Sequence, residues 1–270
     1  MRIFIILIII GLLSSCKGIS KILKNPDPEF KLGKAEQYYV KKKYIFAQQL
    51  FEDVMPHFKG TATFEDLYYK YVYCAYYQQD YQNAENLIKG YLETFPNSSR
   101  AEEMDYMRAY TFYKQSPKPP FDQTNTIKAV GMMQTFISTH PKSLKNKDAS
   151  DIIEICRKKL EEKERANAQL YYDLGQFRAA GVAFTSLLSN FPESEKGDEY
   201  KLMVIKSYFK FAELSVEDKK AERFEQVVAE CNDFIDRFPE SKLVKEAEHY
   251  ISLSQNNIKN LNNEQTKTST

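Results

Sequence analysis

Residues 168–194 read AQLYYDLGQFRAAGVAFTSLLSNFPES, and their spacing decides the fold. Ala180 is followed by the bulky Phe184 four places on, Phe191 eleven on and Pro192 twelve on. A small residue lets two helices approach, and its i+4 neighbour fills the groove beside it. Proline then stops the helix, because it lacks an N–H and disfavours helical geometry in the residue before it. The frame recurs as Ala47, Phe51, Phe58; Ala84, Ile88, Phe95, Pro96; Ala129, Met133, His140, Pro141; and Val227, Cys231, Phe238, Pro239. It degrades at both ends, with Lys59 in place of the first proline and Val227 and Cys231 in the fifth copy, as terminal repeats with one solvent-facing side do.

Upstream of each small residue the pattern continues in the manner of a tetratricopeptide (TPR) repeat. Ala168, Tyr171, Gly175 and Phe177 lead to Ala180; Ala35, Tyr38 and Tyr44 lead to Ala47; Asp80 and Tyr81 lead to Ala84. The first helix of such a pair presents a ring to the second across a short turn that Gly makes easily and Lys or Gln tolerates. Successive small residues lie 37, 45, 51 and 47 apart, so longer helices and connections must absorb the excess over the usual TPR period of about 34. The expectation is an all-α, TPR-like α-solenoid of five helix pairs, at about 34–59, 64–95, 100–140, 148–191 and 197–238, over a domain spanning 34–258 and closed by a C-terminal capping helix. Ser99 with Glu102 reads as a capping box, and Ser194 and Ser241 as N-caps. The run from Asp148 to Leu174, free of Gly and Pro, predicts one long helix. Two connections, Ser116 to Thr124 with its three prolines and Leu214 to Ala221, exceed what an intrarepeat turn needs. Residues 259–270 are polar and read as a disordered tail.

The N-terminus carries an address. Arg2 precedes an apolar run from Ile3 to Leu13, too short to span a hydrocarbon core, so residues 1–15 read as a signal peptide. Leu13-Ser14-Ser15-Cys16 resembles a bacterial lipobox, which makes Cys16 the lipidated residue and 16–33 a lipidated N-terminus with a flexible linker. The three acyl chains implied by that resemblance anchor firmly where one holds only marginally. By resemblance to the enteric sorting rule, Lys17 after the cysteine favours the outer membrane.

Composition narrows the chemistry. A formal net charge of +1 over 270 residues, without the basic patch that neutralising nucleic-acid phosphates would want, argues against nucleic acid. The three histidines stand apart, no Cys/His spacing fits a metal site, and no Gly-rich phosphate loop or Gly-x-Ser-x-Gly elbow occurs. We read no catalytic centre, no metal and no cofactor. Cys74, Cys156 and Cys231 fall in helices and read as buried small hydrophobes.

The informative excess is aromatic: 19 Tyr and 18 Phe, without Trp. Tyr69, Tyr73 and Tyr77 form one helical stripe, and Tyr68 and Tyr76 run along its neighbour. Together they cover too much circumference for all to be buried. Tyr39, Tyr69, Tyr73 and Tyr77 are therefore candidates to line a groove for an extended or aromatic-ended peptide, with interhelical packing the competing reading of each ring.

The lipobox, the TPR frame with Phe95-Pro96-Asn97-Ser98, Phe191-Pro192-Glu193-Ser194 and Phe238-Pro239-Glu240-Ser241, the loop Ser116-Pro117-Lys118-Pro119-Pro120-Phe121-Asp122, and the long helix through Arg157-Lys158-Lys159-Leu160 to Tyr171-Tyr172 together resemble the BamD family of outer-membrane assembly lipoproteins. The resemblance implies a non-enzymatic scaffold in the outer membrane, lipid-anchored and facing the periplasm. Its implied partners are the barrel protein BamA and the C-terminal segments of unfolded outer-membrane proteins. A different TPR lipoprotein, coordinating peptidoglycan or division machinery, is the alternative; glycan binding lacks a Trp for sugar stacking, and an enzyme lacks a centre.

Overall fold

The computed structural model describes residues 18–268, with side chains to 263; the signal-peptide and Cys16 assignments lie outside that range. The described chain is all-α and falls into two compact units, residues 18–117 with 122–157 and residues 118–121 with 158–268.

The first unit holds a short helix α1 (18–23), α2 (Pro28–Val40), α3 (Tyr44–Phe58), α4 (Phe64–Tyr77), α5 (Tyr81–Thr94), α6 (Ala101–Gln115), α7 (Thr124–Thr139) and the first half of α8 (Asn146–Asp173). Each of α2 to α7 packs on its sequence neighbour. The second unit holds the rest of α8, then α9 (Phe177–Asn190), α10 (Gly197–Glu213), α11 (Glu217–Arg237) and α12 (Val244–Thr268), with α9 to α12 again packed in sequence order. This is the TPR-like pairing the spacing predicts.

The frame residues are where that logic needs them. Ala47, Ala84, Ala129, Ala180 and Val227 are fully buried, and so, to within a per cent, are Phe51, Ile88, Met133, Phe184 and Cys231. Beside Ala180, a Cβ added to Gly181 would come within 2.8 Å of the Tyr208 ring, so α10 approaches α9 as closely as glycine allows. Five residues before Ala47, Ala84 and Ala180 stand Lys42, Gln79 and Gly175, with φ of 57°, 62° and 72°. Each sits in the left-handed conformation that ends a helix, and the next N–H reaches back across the turn: Lys43 to Tyr38 O, Asp80 to Ala75 O and Gln176 to Tyr171 O. The residues before the four repeat prolines, Phe95, His140, Phe191 and Phe238, share φ near −122° to −131° and ψ of 53° to 62°, the non-helical geometry that a following proline imposes.

Four expectations are corrected. The segment assigned to a flexible linker is largely helical from residue 18: Pro28 sits at the first turn of α2, Asp27 accepts from the Glu29 N–H, and Ile19 and Leu32 join the first core cluster. The chain past 258 continues α12 to Thr268, because Ile258 and Leu261 still pack against the last core. The loop after α10 spans only 214–216; Glu217 and Asp218 open α11 at its favourable dipole end, and Lys220 pairs with Glu217 at 2.6 Å. Finally, α6 begins without a side-chain cap from the Ser99–Glu102 box.

Ser98 takes the role assigned to Ser99. Its Oγ accepts from the Arg100 N–H at 2.9 Å and donates to Glu65 Oε1 on α4 at 2.6 Å. The same device recurs at every repeat proline. Ser143 donates to Glu102 at 2.5 Å, Ser194 to Glu161 at 2.5 Å and Ser241 to Asp198 at 2.6 Å, while each accepts from the N–H two residues on. A hydroxyl three residues past the Phe or His thus ties the next helix start to a carboxylate on the preceding first helix: the second residue of α4, α6 and α10, and mid-helix Glu161 in the long α8. Sequence spacing marks Ser194 and Ser241 as caps without revealing their carboxylate partners.

Candidate protein-binding face

In the first unit the tyrosines assemble across α2, α3, α4 and α6. Tyr69, Tyr73 and Tyr77 run down α4 with ring centroids 4.8 and 5.6 Å apart. Tyr77 stacks on Tyr44 at 4.6 Å, Tyr44 meets Tyr39 edge-on at 5.8 Å, and Tyr76 reaches Tyr110 of α6 at 6.4 Å. All four candidate residues thus fall in one aromatic cluster, but with unequal exposure. Tyr73 is 8% exposed and belongs to the core, Tyr39 and Tyr69 are half-buried, and Tyr77 is 47% exposed. The competing reading holds for Tyr73; the stripe opens to solvent towards Tyr77.

Polar groups fix the rings. Tyr69 Oη donates to both oxygens of Glu103 on α6, at 3.1 and 3.2 Å, and Tyr73 Oη donates to Oε1 of the same carboxylate. Arg100 lies 4.2 Å over the Tyr69 ring and binds Asp66 at 3.0 Å; Asp66 binds Lys70, and Lys70 binds Glu36 on α2, each at 2.7 Å. A ladder of alternating charge therefore crosses the first helices of three successive pairs. Burial, reinforced by nearby Tyr77, pushes the Tyr39 hydroxyl well above its ordinary pKa, and burial with the Glu103 bond does the same to Tyr73. These phenols stay neutral donors at physiological pH.

Glu103, Arg100, Lys70 and Glu36 were not singled out from the sequence, yet a signal exists. Glu36–Lys70, Asp66–Arg100 and Tyr69–Glu103 are each separated by 34 residues, the usual TPR period. Pairing residues at that offset for complementary chemistry would have found them.

Such a face presents aromatic rings and side-chain hydrogen-bonding groups to solvent at its Tyr77 end. Among the described residues no group of three or more His, Cys, Asp or Glu could hold a metal ion, and no helix is long and apolar enough to cross a membrane. Cys74, Cys156 and Cys231 are buried, and burial pushes the thiols of Cys74 and Cys231 up to about 12.

The fold defines an all-α protein of TPR-like helical pairs. The family model described as an outer membrane lipoprotein, YfiO, matches residues 32–181, and the chain belongs to that family. A curated relative, the putative outer membrane protein assembly factor BamD of Aquifex aeolicus (strain VF5), is 27% identical over 195 residues, 71% of this chain. That match spans 62% of the relative's length. Among solved structures, the TPR2AB domain of yeast Sti1 in its complex with pHSP90 superposes with a TM-score of 0.38 at 11% identity, over 84% of this chain and 98% of that one. Neither the family nor the curated relative is described as an enzyme.

Proposed function

We propose that this outer membrane lipoprotein is a non-catalytic scaffold of the β-barrel assembly machinery. Lipidated at Cys16 and facing the periplasm, it binds a BamA-like barrel protein and receives the C-terminal segments of unfolded outer-membrane proteins. Family membership and the BamD relative support the assembly role. The observation that carries the receiving role is the aromatic face: Tyr77, stacked on Tyr44 and nearly half exposed, leads into a row of rings held in place by Glu103. An aromatic-ended segment adds one more ring to that row, and the preset rings lose little freedom on binding.

Affinity purification from crosslinked envelopes tests the assembly role. A BamA-like barrel protein is the expected dominant companion; recovery of peptidoglycan or division proteins in its place would overturn the proposal. Replacing Cys16 with Ala tests the anchor, and the expected result is release from membranes after a high-salt wash.

A further inference from the structure

Among the described residues, one face of α2 is largely exposed. Phe30, Lys34, Gln37 and Lys41 recur at i, i+4, i+7 and i+11 along it, opposite the buried Lys31, Leu32 and Ala35. Phe30 is 40% exposed, with Lys34 Nζ 5.5 Å from its ring centre. A Cβ added to Gly33 would meet nothing within 4 Å, and a shallow depression lined by Gly33, Glu36, Gln37, Val40 and Lys41 lies beside it. The face runs into the turn Val40-Lys41-Lys42-Lys43-Tyr44-Ile45, where Val40 is 79% and Ile45 59% exposed and all three lysines are exposed. Lys42 holds a left-handed φ of 57°, which closes the turn.

At its C-terminal end the charges around this face are one-sided. Lys31 is buried on Asp53, and Glu36 is occupied by Lys70. The exposed Asp27 and Glu29 sit at the N-cap and in the first helical turn, where the dipole favours them, three turns or more from the lysine cluster. What remains outward is Lys41, Lys42 and Lys43, with the half-buried Lys34 donating to Gln37 Oε1 at 3.2 Å, interleaved with Phe30, Val40 and Ile45. Cations with aliphatic stems beside exposed apolar side chains are the chemistry of an interfacial helix face: ammonium groups meet lipid phosphates while ring and methyl groups enter the headgroup boundary.

We propose that this α2 face and its lysine turn rest on an anionic phospholipid surface. The inference takes the chain to be lipidated at Cys16, as proposed above. The anchor lies two residues before the described chain, and α2, 13 residues long, spans about 20 Å. Tether and turn touching the same leaflet therefore set α2 along the membrane plane. The tether supplies a high local concentration, so modest attraction suffices. Near an anionic surface each lysine favours the seated orientation by about fivefold.

The test uses the lipidated full chain in vesicles of one-third phosphatidylglycerol in phosphatidylcholine, with a nitroxide on the headgroup of a trace lipid. A fluorophore is attached at Gln37→Cys, in the middle of the face, or at Leu144→Cys, 98% exposed on a turn between pairs, as the reference; the native thiols of the described chain are buried. Flotation reads the anchor on its own. Among floated protein, the residue-37 probe should be quenched several-fold more than the reference. The difference should vanish in pure phosphatidylcholine, at about 1 M salt, where the screening length is about 3 Å, and in the combined Lys41→Glu, Lys42→Glu, Lys43→Glu variant. It should survive the three Lys→Arg changes. Quenching equal to the reference in the anionic vesicles, or unchanged by charge reversal, would overturn the proposal even with the anchor intact.

Discussion

Replacing Ser98 with Ala separates the hydroxyl staple from an ordinary helix cap. The substitution removes the acceptor for the Arg100 N–H, the donor to Glu65 Oε1 at 2.6 Å and the contact with Tyr91 Oη at 3.0 Å. Loss of a cap costs about 1 kcal/mol, and a hydrogen bond to a charged group about 1.5–3 kcal/mol. Because Ser98 and Glu65 are only half-buried and water can replace part of the bond, the expected total is about 2 kcal/mol at neutral pH. The cost carries a pH signature. The Ser98 and Tyr91 hydroxyls hold the Glu65 carboxyl below its usual range. A carboxyl lowered in this way stabilises the fold above its unfolded value, and the contribution is lost as pH falls through the folded value. Chemical denaturation at pH 7 and again near pH 3.5 should show a smaller penalty for Ser98→Ala in acid. Ser99→Ala, at the neighbouring exposed hydroxyl, should be neutral at both. An equal penalty for the two serines, or one for Ser98 that ignores pH, would rule out the Ser98–Glu65 staple.

Ala180→Leu places a larger side chain at a fully buried helix crossing and should cost about 1–3 kcal/mol, seen as a lower melting temperature; an unchanged value would mean that the frame is misplaced. Lys201, buried on α10, pairs with Glu230 at 2.5 Å and with Asp233, both partly exposed, so Lys201→Met should destabilise by about 1–2 kcal/mol as water replaces part of the lost bonds, whereas Lys219→Met, at an exposed pair, should change little. Burial pushes the Tyr91 and Tyr106 hydroxyls up to about 12, above the unfolded value near 10. Their contribution is complete below about pH 10 and lost as pH rises towards 12, so stability should fall together with the appearance of phenolate absorbance; ionisation near pH 10 with stability intact would contradict that packing.

The repeat was legible because it is local. Small residue, groove filler and proline sit within 13 positions of one another, and each acts through helix geometry that a sequence displays directly. Lys42 and Gln79 could be placed in turns for the same reason: their register with Gly175 shows where the left-handed residue must fall. What escaped depends on partners far along the chain. Residues 18–33 look irregular because Pro26, Pro28 and Gly33 mask a helix whose reason to form is burial of Ile19 and Leu32 in the first core. The tail reads as polar, yet Ile258 and Leu261 carry α12 onward against the last core. Ser99 outranked Ser98 because Glu102 completes a local box, whereas Ser98 answers to Glu65, 33 residues away. In the aromatic face the rings were visible and their governor was not: Glu103 lies on another helix, 34 residues from Tyr69.

Binding of an aromatic-ended segment to the Tyr77 end of that face is the most direct measurement of the account. The detergent-solubilised full chain should bind a labelled peptide ending in Phe. Tyr77→Ala, which removes the exposed ring stacked on Tyr44, should weaken it by about tenfold, the worth of one ring contact with its buried area, without lowering the melting temperature by more than a few degrees. Unaltered affinity in Tyr77→Ala, or equal binding of a peptide whose terminal Phe is replaced by Ser, would contradict it.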